Sequence, residues 1–309
     1  MSTRSHTLRI GLAFLAVYFI WGTTYLGIRF GLEGFPPFML NGIRFVIAGA
    51  VLALIARMRR HPWPTKAQWW NSLRIGLLMM VGGIGLVSIA EDLGVGSGVA
   101  ATAVAVIPMW VALMTGLLGE WPTRREWVGL GLGLLGVLVL VGEGDFQSTL
   151  VGTLLIVIAP ISWSIGSVWS ARADLPESSA MATSAQLLSA GVALLVIGPL
   201  RGERIMEMPQ ATSWLALAYL TIFGSIVAYT AYIYLLKTVR PGMVASYAYV
   251  NPAVAVIAGV TLGGEVFTGP LFVAMPLILI GVAMVTLGRG RRDVVSEPIV
   301  ALPLVEDAA

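Results

Sequence analysis

The chain has no cysteine and only two histidines, His6 and His61. Disulfides, thiol redox chemistry and Cys/His metal sites are thereby excluded. Charge is scarce as well: 11% of the 309 residues are Asp, Glu, Lys or Arg, where an ordinary soluble domain has about a quarter. A water-soluble core of this size would need a charged shell that the chain cannot supply. With 57% apolar residues, the surface must face hydrocarbon. The class is an all-α polytopic membrane protein, with the lipid bilayer as its first partner.

What is present is a series of long apolar runs. A helix needs about 20 mostly apolar residues to cross a bilayer. Ten segments qualify: 8–30, 36–56, 72–93, 98–118, 126–142, 150–171, 179–198, 213–236, 241–262 and 268–288. The first is too long for the core of a cleaved signal and has no small-residue cleavage site. The longest connections, 57–71 and 199–212, cannot hold a soluble domain. Residues 289–309 are polar and are expected to form a disordered cytoplasmic tail.

Basic residues orient the segments. With both termini in the cytoplasm, only Arg201 and Arg204 fall in outer loops and only Arg29 and Arg44 within spans; the rest of the 19 Lys and Arg are cytoplasmic. That asymmetry is the positive-inside pattern of an inner-membrane protein. It also explains the net charge of +3 without a nucleic-acid partner. Outer loops lean acidic, through Glu33, Glu91, Asp92, Glu143, Asp145 and Glu265. Trp63, Trp69, Trp70, Trp121, Trp127 and Trp214 fall at span ends, where an amphipathic ring suits the headgroups. Trp21, Trp110 and Trp163 lie deep in the apolar runs and need another reason.

The chain repeats itself. Gly98 to Val137 and Gly242 to Val282 share a Gly, a Pro ten residues on (Pro108, Pro252), a Glu (Glu120, Glu265) and a later Gly-Val. Earlier in each half, "IRFVIAGAVLAL" (43–54) parallels "AQLLSAGVALLV" (185–196), setting Arg44 against Gln186. Trp21 falls opposite Trp163 at the same offset. The expected architecture is therefore two five-helix repeats, residues 1–145 and 146–288, with the seam near Glu143 to Thr149. Five is odd, so the second copy must enter the membrane inverted. Such inverted repeats are typical of secondary transporters, whose substrate sites lie near the midplane between the halves.

"FIWGTTYLGIRFGLEGFPPFMLNGIRFVIAGAVLAL" (19–54) and "LLKTVRPGMVASYAYVNPAVAVIAGVTLGGE" (235–265) resemble EamA-type ten-helix proteins of the drug/metabolite transporter superfamily. The resemblance spans nearly all ten segments and is nearest the aromatic amino-acid exporter branch. It implies export of small metabolites, amino acids foremost.

Candidate site residues follow from the interruptions. Pro252 removes the helical partner of the Ala248 carbonyl, and Pro108 that of Val104. Broken backbone at that depth needs protein or a wet cavity around it, so both prolines are candidate hinges. Packing kinks are the plainer alternative. Around Pro252 stand Tyr247, Tyr249 and Asn251; Tyr229 and Tyr232 share a face of the eighth segment, which also carries Tyr234. With Trp21, Trp110 and Trp163 these rings are expected to wall a substrate cavity, although buried Tyr and Trp also serve simple packing. Thr23, Thr24, Ser164 and Ser167 flank the two matched tryptophans, to bond substrate or back-bond their own helices. Arg44, costing roughly 2.5–3.5 kcal/mol to place in a span, reads as a structural charge tied to a helix end or loop carboxylate; attraction of a substrate carboxylate is the other reading.

No Asp or Glu falls near the midplane of a span, so a central carboxylate relay has no candidate, and downhill facilitation is expected. "GLGLLG" (131–136) fits a dinucleotide pattern but follows no strand; Gly129, Gly133 and Gly136 instead permit close helix packing. No cofactor site is expected. The reading is a carrier of small amphipathic molecules, chiefly aromatic or other hydrophobic amino acids, by alternating access. Drugs, nucleotide sugars or other metabolites are the alternative cargo. A membrane-embedded enzyme is more remote, since the spans supply no clustered acid, base or nucleophile. A monomer is compatible with this reading.

Overall fold

A computed structural model describes residues 3–95, 100, 104–141, 150–262 and 271–286. The seam 143–149, Glu265 and the tail 289–309 lie outside the described residues, as do parts of the fourth and tenth expected segments. The described chain is all helical, without strands. We label its helices α1 (3–32), α2 (Pro37–Met58), α3 (Lys66–Asp92), α4 (Ile107–Leu117), α5 (Arg124–Val141), α6 (Leu150–Ser170), α7 (Ser179–Leu200), α8 (Ala211–Thr238), α9 (Tyr247–Leu262, preceded by the single turn Pro241–Val244) and α10 (Leu271–Thr286).

Among the described residues, six helices are long and apolar enough to cross a membrane: α1, α2, α3, α6, α7 and α8. They coincide with six of the ten expected segments. Helix is the structure such runs must take, because hydrocarbon offers no partner for backbone N–H and C=O groups. Large apolar side chains remain exposed along the helices, among them Leu54, Leu135, Leu154 and Val192, as a lipid-facing surface requires. Trp63, Trp70, Trp121, Trp127 and Trp214 are exposed near helix ends.

Local sequence sets the helix boundaries. α2 starts with Pro37 in its first turn, where the missing N–H costs nothing. The Glu203 carboxylate, from the loop after α7, accepts hydrogen bonds from the N–H groups of Phe38 and Met39, each at 3.0 Å. Thr65 and Gln68 form a reciprocal capping box at the start of α3. α3 ends at Gly94, whose φ of +90° lets the Val95 N–H reach back to the Ala90 carbonyl at 2.9 Å.

Two helix pairs join the repeats. In the α2–α7 pair, a Cβ on Gly42 would stand 2.7 Å from Leu195, one on Gly191 2.9 Å from Val46, and one on Gly49 2.8 Å from Leu188. Residue numbers rise along α2 as they fall along α7, so these sequence-matched helices run antiparallel. In the α5–α10 pair, Gly129 and Gly281 meet backbone to backbone. Of the expected glycine face, Gly129 and Gly133 both meet Gly281 of α10, and Gly133 also receives the ring of Tyr249. Small residues allow such close approach where no hydrophobic effect drives helices together.

Three stretches widen into π-helix: Ala16–Ile20 in α1, Leu77–Gly85 in α3 and Leu220–Ala228 in α8. The second and third occupy matching places in the two halves. Such turns often mark functional positions. Replacing Gly49 with Leu should wedge α2 from α7 and cost about 1–3 kcal/mol by overpacking. A lowered melting temperature of the purified protein, with Ala at the same position intermediate, is the expected readout.

Candidate functional site: a ring-lined central cavity

Four helices bring five rings together. Trp21 (α1) is the hub, with ring centroids 5.5 Å from Trp163 (α6), 5.0 Å from Tyr232 (α8) and 5.0 Å from Tyr247 (α9). Tyr229 stands 6.4 Å from both tryptophans. Edge-on and tilted contacts dominate, as ring quadrupoles favour.

The polar tips of four of these rings are satisfied internally. Trp21 Nε1–H donates to the Gly224 carbonyl at 3.1 Å. Trp163 Nε1–H donates to the Tyr232 hydroxyl at 3.3 Å, which in turn donates to Ser167 Oγ at 2.7 Å. Ser167 then donates to the Trp163 carbonyl. The Tyr229 hydroxyl donates to Gln186 Oε1. Each tryptophan also meets a glycine in the π-helical stretch of the other half: Trp21 meets Gly224, and the Trp163 ring lies where a Cβ on Gly83 would come within 2.8 Å. The expected back-bonding is present too, from Thr23 to Ile20, Thr24 to Trp21 and Ser164 to Pro160.

Beside the cluster lies a cavity of about 80 Å³. A single water needs roughly 10–15 Å³ on this measure, so there is room for several waters or a small solute. Of the candidate residues, Trp21, Thr24, Trp163, Tyr247 and Asn251 line it. So do Tyr25, Gly83, Gly224 and Arg44. Tyr25 was legible as the residue one helical turn from Trp21. Gly83 and Gly224 had only their glycine identity within otherwise bulky apolar runs.

Arg44 is 3% exposed, with its guanidinium 4.6 Å over the Phe45 ring. Its Nε and Nη1 have no hydrogen-bond partner among the described residues. The carboxylate tie expected for it is therefore not made there. Glu91, one turn beyond the lining residue Val87, also buries both carboxylate oxygens without a hydrogen-bond partner among the described residues. Tyr25 and Arg29 of α1 lie within its electrostatic reach.

Other expected residues sit elsewhere. Tyr249 donates to the Leu130 carbonyl at 3.1 Å and packs with Ala105, Ala112 and Leu130, outside the ring cluster. Trp110 is half-buried and makes no ring contact with the cluster among the described residues. Tyr234 is partly buried at the margin of the core. Pro108 is buried in the first turn of α4 rather than inside a continuous helix, because the chain already turns at residues 105–106. It lines a separate cavity of about 40 Å³. Pro252 is buried within α9, and the interruption falls earlier, at Ala245–Ser246. Asn251 lies 1% exposed, with an amide orientation that donates to the Tyr18 and Tyr247 carbonyls.

The two ends of the bundle differ. At the end shared by the C-terminus of α1 and the start of α2, a cavity of about 870 Å³ is lined by Glu33, Asp92, Arg201, Arg204 and their neighbours. α1, α3 and α6 line both it and the central cavity. At the opposite end, ion pairs join the halves: Arg172 to Glu120 at 2.8 Å and Arg240 to Glu126 at 3.5 Å.

Comparison with known proteins finds the EamA-like transporter family matched twice, over residues 8–142 and 150–287. The chain belongs to the EamA-like transporter family. It is 40% identical over 297 residues, 96% of each chain, to YedA of Escherichia coli (strain K12), described as an uncharacterized inner membrane transporter. A probable amino-acid metabolite efflux pump of Salmonella typhimurium (strain LT2) is 26% identical over 91% of this chain and 96% of that one. A chain of known crystal structure aligns with TM-score 0.73 over 93% of this chain and 98% of its own, at 24% identity, which carries the fold alone. The protein is thus a multi-pass membrane transporter built on two EamA repeats.

Gly83 is the tightest constraint on this transporter's ring cluster. Gly83→Val should displace the Trp163 indole. A shifted tryptophan emission maximum and a several-fold loss of transport are expected, while Gly131→Val, a site with open space around it, should leave both unchanged.

Proposed function

We propose that this transporter exports small amphipathic metabolites, chiefly amino acids with aromatic or other hydrophobic side chains, by alternating access. In this reading ten spans, α1 to α10, form two inverted halves in the inner membrane with both termini cytoplasmic. The observation that carries it is the central cavity between the halves, walled by Trp21, Trp163 and Tyr247 and edged by Asn251 and Arg44. Rings offer an apolar side chain a flat surface, and the few polar groups orient the rest of the solute. The antiparallel packing of the sequence-matched α2 and α7 supports inversion. The amino-acid assignment draws on the Salmonella efflux pump and on the character of the lining.

Alternating access requires one end to open as the other closes. The large cavity beside Glu33 and Asp92, with ion pairs tying the opposite end, suits an outward-facing state. Both pairs are partly exposed, and such pairs contribute only about 0–1 kcal/mol. They are weak enough to break on each cycle.

Counterflow in liposomes with a panel of labelled amino acids tests the substrate class. Phenylalanine should exchange at a rate independent of a pH gradient, and Trp163→Ala should change the phenylalanine-to-threonine ratio several-fold. Tyr249→Ala should lower stability and leave that ratio unchanged. A panel in which no amino acid exchanges would reject the substrate class. Glu91 favours a second reading, proton coupling, through its buried carboxylate, which makes no hydrogen bond among the described residues. Exchange that depends strictly on the gradient, and loses that dependence in Glu91→Gln, would establish coupling in place of facilitation.

A further inference from the structure

We infer that Arg44 is the anchor for a carboxylate of the transported solute, so that the central cavity selects molecules joining one carboxylate to an apolar side chain. The inference rests on the cavity being the transport site and specifies what it binds.

A guanidinium keeps its proton in proteins. Arg44 is thus a permanent charge, 3% exposed, within a membrane-spanning helix. A buried cation without a counter-charge is strongly disfavoured. Among the described residues no Asp or Glu forms an ion pair with it, and its Nε and Nη1 make no hydrogen bond. The loop carboxylate of Glu203 is engaged with the N–H groups of Phe38 and Met39. Water in the cavity can solvate the guanidinium but supplies no opposite charge. A solute carboxylate supplies both.

The repeat sharpens the point. Gln186, the residue matched to Arg44 in the second half, is neutral; its Oε1 accepts from the Tyr229 hydroxyl, while its Nε2 has no hydrogen-bond partner among the described residues. Only the first-half member of this pair faces the cavity, and only it carries a charge. The Phe45 ring under the guanidinium at 4.6 Å covers one of its faces and holds it in place. The rest of the lining selects for the body of the solute. Ile28, Val87, Val104 and Ile107 are apolar, and the rings of Trp21 and Trp163 stand beside them. Among the described residues, no lysine or second arginine lines the cavity. One guanidinium balances a monocarboxylate; a phosphate ester or a nucleotide diphosphate would leave negative charge unmatched.

The experiment is a binding titration on the purified full-length protein, read by intrinsic tryptophan fluorescence, because Trp21 and Trp163 line the cavity. Phenylacetate, 2-phenylethanol and phenyl phosphate share a ring and differ in the head group. In the wild type, phenylacetate should saturate at a concentration roughly tenfold or more below the other two, the factor expected of a charge-assisted hydrogen bond. Arg44→Met should remove that preference, and Arg44→Lys should keep part of it. Equal responses to phenylacetate and 2-phenylethanol in the wild type would overturn the proposal even if neither variant folds. So would an unchanged preference in a folded Arg44→Met, or a preference for phenyl phosphate. Counterflow separates the two readings. Carboxylate binding with no amino-acid exchange rejects amino acids as cargo and keeps the anchor. Amino-acid exchange that is normal in Arg44→Met rejects the anchor and keeps the cargo.

Discussion

Hydrocarbon offers neither hydrogen bonds nor counter-charges, so every polar group carried into a bilayer must find its partner within the protein, in water or in a ligand. This fold answers that constraint most visibly at its two buried tryptophans. Trp21 of the first half gives its indole N–H to the carbonyl of Gly224 in the second. Trp163 of the second half lies on Gly83 of the first and gives its N–H to Tyr232. The exchange is nearly symmetric. Each tryptophan crosses between repeats to a glycine in a π-helical stretch, and a larger residue at Gly83 would stand in the ring's place. Around this crossing the hydroxyls of Tyr229 and Tyr232 donate to Gln186 and Ser167.

Much of the architecture was legible in the sequence because it follows from composition and length. Six expected spans reappear as long apolar helices, and the Ala-Gly match at 48–49 and 190–191 reappears as the close α2–α7 crossing. Trp21 and Trp163 were marked by depth alone, since a tryptophan far from the headgroups needs an internal partner. Tyr249 was grouped with Tyr247 from proximity in sequence. Two residues turn a side chain through about 200° on a helix, and Tyr249 accordingly packs toward α5 instead. The π-helical stretches had no proline to announce them. Hydrogen-bond register is decided by packing against neighbours, which periodicity in one segment does not encode. For the same reason the prolines misplaced the breaks. Proline dictates which carbonyl lacks a partner, whereas the turns at 105–106 and 245–246 fall where the chain can satisfy its backbone otherwise.

The polar groups left over bear on the proposed cycle. Several buried hydroxyls, among them Thr24, Ser164 and Ser167, are bonded to their own helix or to a neighbouring ring, and these rigidify the hollow. Arg44 and Glu91 are the charged groups whose buried polar atoms lack hydrogen bonds among the described residues. One lies in the cavity lining and the other one turn beyond it. The ends of the bundle are held by different means. Ion pairs from Arg172 and Arg240 to Glu120 and Glu126 bind half to half at one end. At the other, Glu203 caps α2 beside a wide cavity. Under the alternating access proposed above, screened surface charges at one end and a loop cap at the other are the contacts that a rocking motion would exchange.

The central claim is that water and solute reach a hollow between the two halves. Since the chain has no cysteine, single cysteines can be introduced without removing any. Ile84→Cys places a thiol in the cavity lining, and Val192→Cys places one on the exposed face of α7. In intact membranes, a membrane-impermeant maleimide should label Ile84→Cys, with protection by a transported solute, and should leave Val192→Cys unmodified in lipid. Failure to label Ile84→Cys in any condition that supports transport, or labelling that no solute diminishes, would contradict the account.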